Sequence, residues 1–489
     1  MSIFKKQSGV WKESNNIGIK QTGVWKDVTQ MFVKNGGVWK SLLSNSKYIC
    51  WLQETDTNKT LKPMAITKDN SGNTYILYER NYTATIIKFS KTYDILVAKN
   101  IPVSPISINS ATYMPAIDAV AFTADKYVIF VHASNLLAYN SSDTVIQFPD
   151  RVSGICDDPR YNNRVFVANY YIQGSYYDGN ATANIYSIDL VNFSNGYYGA
   201  YYFNVGTTYS VYPATTVFSN LVFDSSASKL YLGGSAVKND YVGSTGSYHS
   251  VYNVSGYNIT AVSSIHTFFY YQSFYPLTHW ISQDSFSGTT NRLVSGNYTY
   301  NNSGNIYRYG LTKIDSAGTP IISKYVSNFT TSAYKTYCGI DSKNNAILII
   351  YGTGGVYFVK FDSNLNYLGC VRMIITNNTG ASSYPFTFYA CIFKNDIITL
   401  SGYRASSSLY YRSMAVEIPT DLDVPLNTVM NINGTYYLKF TTSSVSIADL
   451  GLSNQWNKGG NSGAFTGATN TLKTFTNFSS YGKIVHTYE

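Results

Sequence analysis

Gly339-Ile-Asp-Ser-Lys-Asn-Asn-Ala-Ile-Leu-Ile-Ile-Tyr351, followed by Val356-Tyr-Phe-Val-Lys-Phe-Asp362, is the stretch whose reading decides the fold. A first strand ends at Asp341, whose carboxylate can hydrogen-bond the backbone two residues on and start a turn. A continuous apolar run follows, then Gly352-Thr-Gly-Gly355 as a hairpin turn, then a third strand. The same order recurs in Ala65-Ile-Thr-Lys-Asp-Asn-Ser-Gly-Asn-Thr-Tyr-Ile-Leu-Tyr78 and Ile86-Ile-Lys-Phe89, with Asp69 at the turn. Weaker copies occupy 120–139, 154–189, 221–254, 281–315 and 389–418. From Asp69 to the matching turn at Lys394 there are six intervals of about 54 residues, near the long end of propeller periods. Strand-rich modules with no helix between them remove their open edges by closing radially. The expectation is an all-β chain, a seven-bladed β-propeller, with six or eight blades also compatible.

The unit resembles the Asp-x-x-Gly-Asn-x-Tyr repeat of bacterial and phage propellers, in which the third strand ends in Lys-Phe-Asp or Lys-Ile-Asp. Here those ends are Lys360-Phe361-Asp362 and Lys313-Ile314-Asp315. Residues 48–53 sit where a closing strand can pair with the last blade. The domain reading is 1–47 for a repeat segment, 48–422 for the propeller and 423–489 for a small C-terminal β-appendage. The appendage contains an Asn-Gly hairpin at 430–439 and a Gly-, Asn-, Ser- and Thr-rich run at 451–470.

The first segment holds three 14-residue units, 2–15, 16–29 and 30–43, each carrying Gly-Val-Trp-Lys, at 9–12, 23–26 and 37–40. Each alternates apolar and polar residues, turns through Gln7-Ser-Gly9, Gln21-Thr-Gly23 or Asn35-Gly-Gly37, and resumes with Val-Trp-Lys, which reads as a short β-hairpin. One such hairpin is not stable alone in water. The three must stack on each other or lie on a larger surface, with Trp11, Trp25, Trp39, Val10, Val24 and Val38 as the apolar docking residues. The arrangement resembles the openings of bacteriophage virion proteins, minor tail and tail-fibre proteins among them, where copies of a Gly-Gly-Val-Trp-Lys motif precede the main domain. The resemblance implies attachment to other virion proteins through these repeats.

Only 13% of the 489 residues are charged, and 47 are Tyr. The first fifty residues hold eight lysines against Glu13 and Asp27, so the net charge of +9 sits mostly there. Lysines at fixed spacing on exposed strands block edge pairing, which accounts for them without nucleic acid. The five cysteines are scattered, odd in number and without CxxC spacing, and read as small buried hydrophobes. Neither a signal peptide nor an 18-residue apolar stretch is present in the sequence, so no membrane span is expected.

The longest expected loops join second and third strands, at 170–182, 235–250, 298–305 and 403–411, and such loops gather at one end of a propeller. They carry Tyr170, Tyr171, Tyr176, Tyr177, Tyr241, Tyr248, Tyr298, Tyr300, Tyr403 and Tyr410 among Ser, Gly and Asn. Tyr among small polar residues is the mixture recognition loops use. A chain that is a tenth Tyr places some there in any case. No catalytic residue is assigned. Ser282-Gln-Asp-Ser-Phe-Ser-Gly-Thr-Thr breaks the spacing of the sialidase turn, and no carboxylate pair, HxH, HExxH, GxSxG or P-loop spacing is found. No metal and no cofactor are expected.

The resulting expectation is a non-enzymatic structural protein of the virion, assembled in the host cytoplasm. It is placed in the tail or tail fibre, as a homo-oligomer in a symmetric assembly, with a host-surface glycan or protein as a second partner. The alternatives are a polysaccharide-degrading, tailspike-like enzyme, a capsid decoration protein and a bacterial adhesin.

Overall fold

The computed structural model describes residues 47–54, 59–104, 110–132, 144–148, 151–173, 180–190, 199–204, 217–238, 244–256, 258–261, 265–272, 279–301, 305–329, 333–352, 355–380, 386–404, 412–449, 455–456, 460–464, 469–471, 476–477 and 481–488. It also describes six backbone strands within 4–41, and in parts of the longer strands the backbone alone. The chain divides into two compact units, 1–47 with 487–489, and 48–486.

In the first unit, Phe4–Gln7 pairs with Val10–Glu13, Gly18–Gln21 with Val24–Asp27, and Phe32–Asn35 with Val38–Ser41, all antiparallel. The three registers are the same: Gln7 faces Val10, Gln21 faces Val24, and Asn35 faces Val38. In each, the Trp backbone sits opposite a Lys: Lys6 with Trp11, Lys20 with Trp25, Lys34 with Trp39. The side chains of these hairpins lie outside the described residues.

The second unit is a seven-bladed β-propeller. Blades 1 to 6 occupy 62–101, 111–147, 151–204, 217–272, 279–329 and 333–376, and blade 7 is 387–419 with Lys47–Glu54 added as its fourth strand. That last pairing sets Trp51 opposite Met414 and Ile49 opposite Val416, so the strand expected to close the ring does so. The first strands form a central ring in which each touches the next, and Thr387–Lys394 of blade 7 touches Lys62–Lys68 of blade 1.

The Asp turns are tighter than expected. Asp69 Oδ1 accepts from the Asn73 amide at 2.8 Å and Oδ2 from the Asn73 side chain at 2.7 Å. Asp341 and Asn345 repeat the arrangement, as do Asp362 and Asn366. The carboxylate thus satisfies the backbone amide that leaves the turn, and the paired Asn locks it.

The apolar core lies between blades rather than within one. Ile66, Ile76 and Ile87 of blade 1 pack with Ala390, Ile392 and Ala415 of blade 7 and with Cys50 and Leu52 of the closing strand. Between blades 6 and 7, a Cβ on Gly339 would come within 2.3 Å of the Phe393 ring, so this position has to be Gly for the blades to approach. Polar ties cross the same gaps. Asn220 of blade 4 donates to the Ile281 carbonyl of blade 5 at 2.6 Å and accepts from the Ile281 amide at 3.0 Å. Arg292 of blade 5 reaches Asp224 of blade 4 at 3.0 Å. At the seam, buried Lys68 of blade 1 meets buried Glu417 of blade 7 at 2.6 Å.

From Asp423 onward the structure differs from the expected appendage. The 430–439 hairpin forms, with Met430 opposite Leu438, but it lies on the outer edge of blade 6. The chain then returns around the ring in reverse. Ser446–Asp449 pairs with the last strand of blade 5, Gln455–Trp456 with blade 4, Gly460–Ala464 with blade 3, Thr469–Thr471 with blade 2 and Thr476–Asn477 with blade 1. Tyr481–Tyr488 comes last, outside Lys47–Glu54 in blade 7. Every blade therefore gains an outer strand from this segment, and the described strands together form a belt. The physical reason is the unpaired row of N–H and C=O groups that an outermost strand presents. Ending the chain after residue 422 removes the outer strand of every blade and uncovers those edges. The expected outcome is a propeller with native-like strand content that associates through its edges, seen as higher oligomers by size-exclusion chromatography. A truncated chain that stays monomeric at the same concentration would show that the belt does not protect them.

A second expectation concerns the seam. Glu417→Gln leaves Lys68 buried beside a neutral group and should cost about 3–5 kcal/mol in denaturant unfolding, whereas the double change Lys68→Met/Glu417→Leu should recover most of it. A loss below about 1 kcal/mol for Glu417→Gln would mean that the seam does not depend on the pair.

Candidate functional site

The hairpins joining second to third strands are not of equal length. In blades 1 and 6 each strand of this hairpin has seven residues. In blades 3, 4 and 5 the strands are Arg164–Gln173 with Asn180–Asp189, Lys229–Lys238 with Ser244–Ser255, and Arg292–Asn301 with Asn305–Ile314, each of ten to twelve residues. Three extra residues extend a hairpin by about 10 Å. Because strands alternate direction within a blade, these hairpins open on the same end of the ring as the connections between blades. Three neighbouring blades thus raise one end of the propeller.

The tyrosines expected on loops are distributed differently. Tyr170 and Tyr171 lie within a strand of blade 3, Tyr248 in blade 4, and Tyr298 and Tyr300 in blade 5, because the hairpins extend further than the sequence pattern implied. Their side chains, and Tyr176, Tyr177, Tyr241 and Tyr410 entirely, lie outside the described residues. Tyr403 is also on a strand, Ile397–Arg404, and it is half-buried rather than displayed. Its ring packs 5.3 Å from that of Tyr389, and the Lys62 ammonium stands 5.8 Å from its centroid.

The ring axis holds a narrow cavity, about 40 Å³, lined from all seven first strands, Ile66, Ile155, Leu221, Trp280, Tyr337 and Tyr389 among them. Lys335, at the start of blade 6, is half-buried in its wall. Its Nζ lies 4.3 Å from the Tyr389 ring centroid and donates to the Tyr389 carbonyl at 3.4 Å. Lys62 stands 4.7 Å from the same ring. Removal from bulk water, and next the Lys62 charge, bring the Lys335 ammonium down to about 7. Nothing in the sequence marked this site, since its residues come from blades 1, 6 and 7.

The opposite end carries the first-turn acids. Most are committed to structure: Asp158 to Arg160 and Arg164, Asp224 to Arg292, Asp341 to Lys360, and Asp396 to Ser342. A cleft of about 320 Å³ lies here across blades 5 to 7, lined by Asp284, Asn344, Lys394 and Asp396 among others. Lys394 donates to the Lys68 carbonyl at 3.0 Å and the Asn70 side chain at 3.1 Å, so it serves the seam. Asp157 ends the first strand of blade 3. Burial, then the Asp158 carboxylate beside it, push its carboxyl up to about 7.

Among the described residues no His, Cys, Asp and Glu group has metal-binding geometry. His249 is buried with Nε2 2.8 Å from the Gly318 carbonyl, linking blades 4 and 5. All five cysteines are free and buried, and burial pushes Cys50, Cys338 and Cys370 to about 12, which leaves them as unreactive thiols. No described helix is long and apolar enough to cross a membrane.

No protein-family model matches the chain, and no curated protein matches it. Among solved structures it is similar to a Lactobacillus plantarum protein, at 11% identity and TM-score 0.32, over 66% of this chain and 96% of that one. It is also similar to Drosophila Plexin A, solved in complex with Semaphorin 1b, at 9% identity and TM-score 0.34, over 75% and 86%. An ancestral GH74 enzyme matches at 9% identity and TM-score 0.32, over 81% of this chain and 60% of that one. The propeller itself is established by strand pairing.

The Asp157 shift has a signed consequence. Its folded pKa lies above the ordinary carboxyl value, so its stabilising contribution is complete below about pH 4 and is lost as pH rises through about 7. Asp157→Asn removes the cost of ionising a half-buried carboxyl. The variant should exceed the wild type by on the order of 1–2 kcal/mol near pH 8, after discounting for partial exposure, and match it near pH 4. Equal stability of the two at both pH values, by urea unfolding, would contradict the assignment.

Proposed function

We propose that this chain is a non-enzymatic structural component of a bacteriophage particle, in the tail or tail fibre. In this reading the N-terminal hairpins attach it to other virion proteins, and the raised end of blades 3 to 5 meets a glycan or protein of the host surface. The observation that carries the reading is the threefold Gly-Val-Trp-Lys unit at constant spacing, each copy a hairpin with the same register. Hairpins of two four-residue strands bury too little to persist alone, which favours a role against a partner surface. The raised end supports recognition because it sets Tyr-, Ser- and Asn-rich hairpins beyond the plane of the other blades. A homo-oligomer matching the symmetry of the particle fits attachment by a repeated short motif.

Mass spectrometry of purified virions tests the placement: the chain should be present at a fixed copy number, and its absence would overturn the reading. Replacing Trp11, Trp25 and Trp39 by Ala should yield a folded propeller that is missing from particles. Replacing Tyr176, Tyr177 and Tyr241 by Ala should lower adsorption to host cells at least tenfold while incorporation is unchanged. Release of reducing sugars from host surface polysaccharide by the purified chain would instead favour the depolymerase reading.

A further inference from the structure

We propose that the first-turn end of the propeller, along blades 5, 6, 7 and 1, receives the basic N-terminal hairpins of a second copy of this chain. The contact rests on the docking role given above to the hairpins.

Three exposed aliphatic residues mark this end. Leu96 of blade 1, Ile321 of blade 5 and Leu368 of blade 6 are 47%, 52% and 55% exposed, and each is the second residue of its blade's fourth strand. Each follows a turn closed by a side chain on a backbone amide, at 90–94, 315–319 or 362–366. Third-to-fourth-strand turns lie at the same end of the ring as the first turns, because strands alternate direction. Among the described residues the belt bonds these three strands only from Lys99, Lys324 and Cys370 onward, so it leaves their beginnings uncovered. In blade 2 the equivalent residue, Val145, is buried. Single exposed apolar side chains are ordinary on a protein surface, but the same position exposed in three blades is a pattern.

Blade 7 lies between blades 6 and 1, and its fourth strand starts at this end too, with Ile49 opposite Val416 near the strand end at Pro419. Its second residue is Tyr48, half-buried with its ring 5.9 Å from that of Tyr93. The propeller's own chain begins here, at the middle of the arc. A segment that starts at this end can reach the same end of a neighbouring copy without crossing the ring.

Charge selects the occupant. The turns of the arc carry Asp94, Asp315, Asp362, Asp421 and Asp423, against Lys91 and a Lys483 that already pairs with Asp94 at 3.0 Å. Residues 2–43 carry Val and Trp in each unit, with seven lysines against Glu13 and Asp27. Apolar positions set among carboxylates complement apolar residues set among lysines, and they repel a nucleic acid. Two-stranded hairpins of four-residue strands need such a surface to persist.

Sedimentation velocity of the purified full chain tests this. The wild type should associate, and about 1 M salt should weaken the association at least tenfold relative to about 0.1 M, as screening shortens from about 10 Å to about 3 Å. Leu96→Ser/Ile321→Ser/Leu368→Ser removes the acceptor, and Trp11→Ala/Trp25→Ala/Trp39→Ala removes the donor. Each variant alone should be a monomer with cooperative melting, and the two mixed should form a one-to-one dimer, since one keeps its hairpins and the other its arc. Asp421→Lys/Asp423→Lys, at exposed positions, should weaken association several-fold and decides the matter if the Ser variant does not fold. A monomeric wild type, a folded Ser variant that associates as the wild type does, or two variants that do not recombine would each overturn the proposal. Purified chain suffices, so this contact and the placement in the particle can fail separately.

Discussion

A propeller has as many interfaces as blades, and one of them joins parts of the chain that are far apart in sequence. Here that seam is carried by the Lys68–Glu417 pair, by Lys394 donating into the turn of blade 1, and by the insertion of Lys47–Glu54 beside Arg412–Pro419. The apolar residues of blade 1 that would face water in an open ring are the ones that pack on Ala390, Ile392 and Ala415. Burial of each large aliphatic side chain is worth about 1.5–3 kcal/mol, so the seam gathers a sizeable share of the stabilisation in one place. The intact buried ion pair adds little net energy, because its desolvation offsets much of its attraction.

The blades were legible where a turn carried its own chemistry. Asp69 and Asp341 announce a turn because their carboxylates satisfy the backbone locally, and the apolar runs after them are long enough to mark buried strands. The closing strand was legible for a similar reason, as Tyr48 to Gln53 is apolar and isolated ahead of the first module. The belt was not. Strands such as Gln455–Trp456 and Thr476–Asn477 are two residues long, show no alternation and pair with partners about 190 and 380 residues away. A Gly-, Asn- and Ser-rich segment with that pattern reads as a loop-rich appendage, because what makes it a strand is the edge it meets.

The sites divide along the same line. The long second-to-third-strand connections were visible as gaps between apolar runs, and the structure turns much of them into extended hairpins. Tyr403 shows the limit of that reading: in sequence it begins a polar loop, and in the fold it is the last inward position of a strand, packed on Tyr389. Lys335 carried no signal in its surroundings, since Ala-Tyr-Lys-Thr-Tyr-Cys is a short strand-forming run with no motif spacing. Its environment is assembled from three blades: Tyr389 comes from the next blade in the chain, and only ring closure brings Lys62 beside it.

The closing strand is made early and completed late. Ile49 and Val416 are paired in the ring but separated by about 370 residues, which at a synthesis rate of roughly 5–20 residues per second is an interval of about 20–70 s. During that time Ile49, Cys50, Trp51 and Leu52, all buried in the finished blade, have neither their partner strand nor the later strand that covers them. The growing chain therefore carries an apolar strand that stays without its partner until most of the propeller has been made.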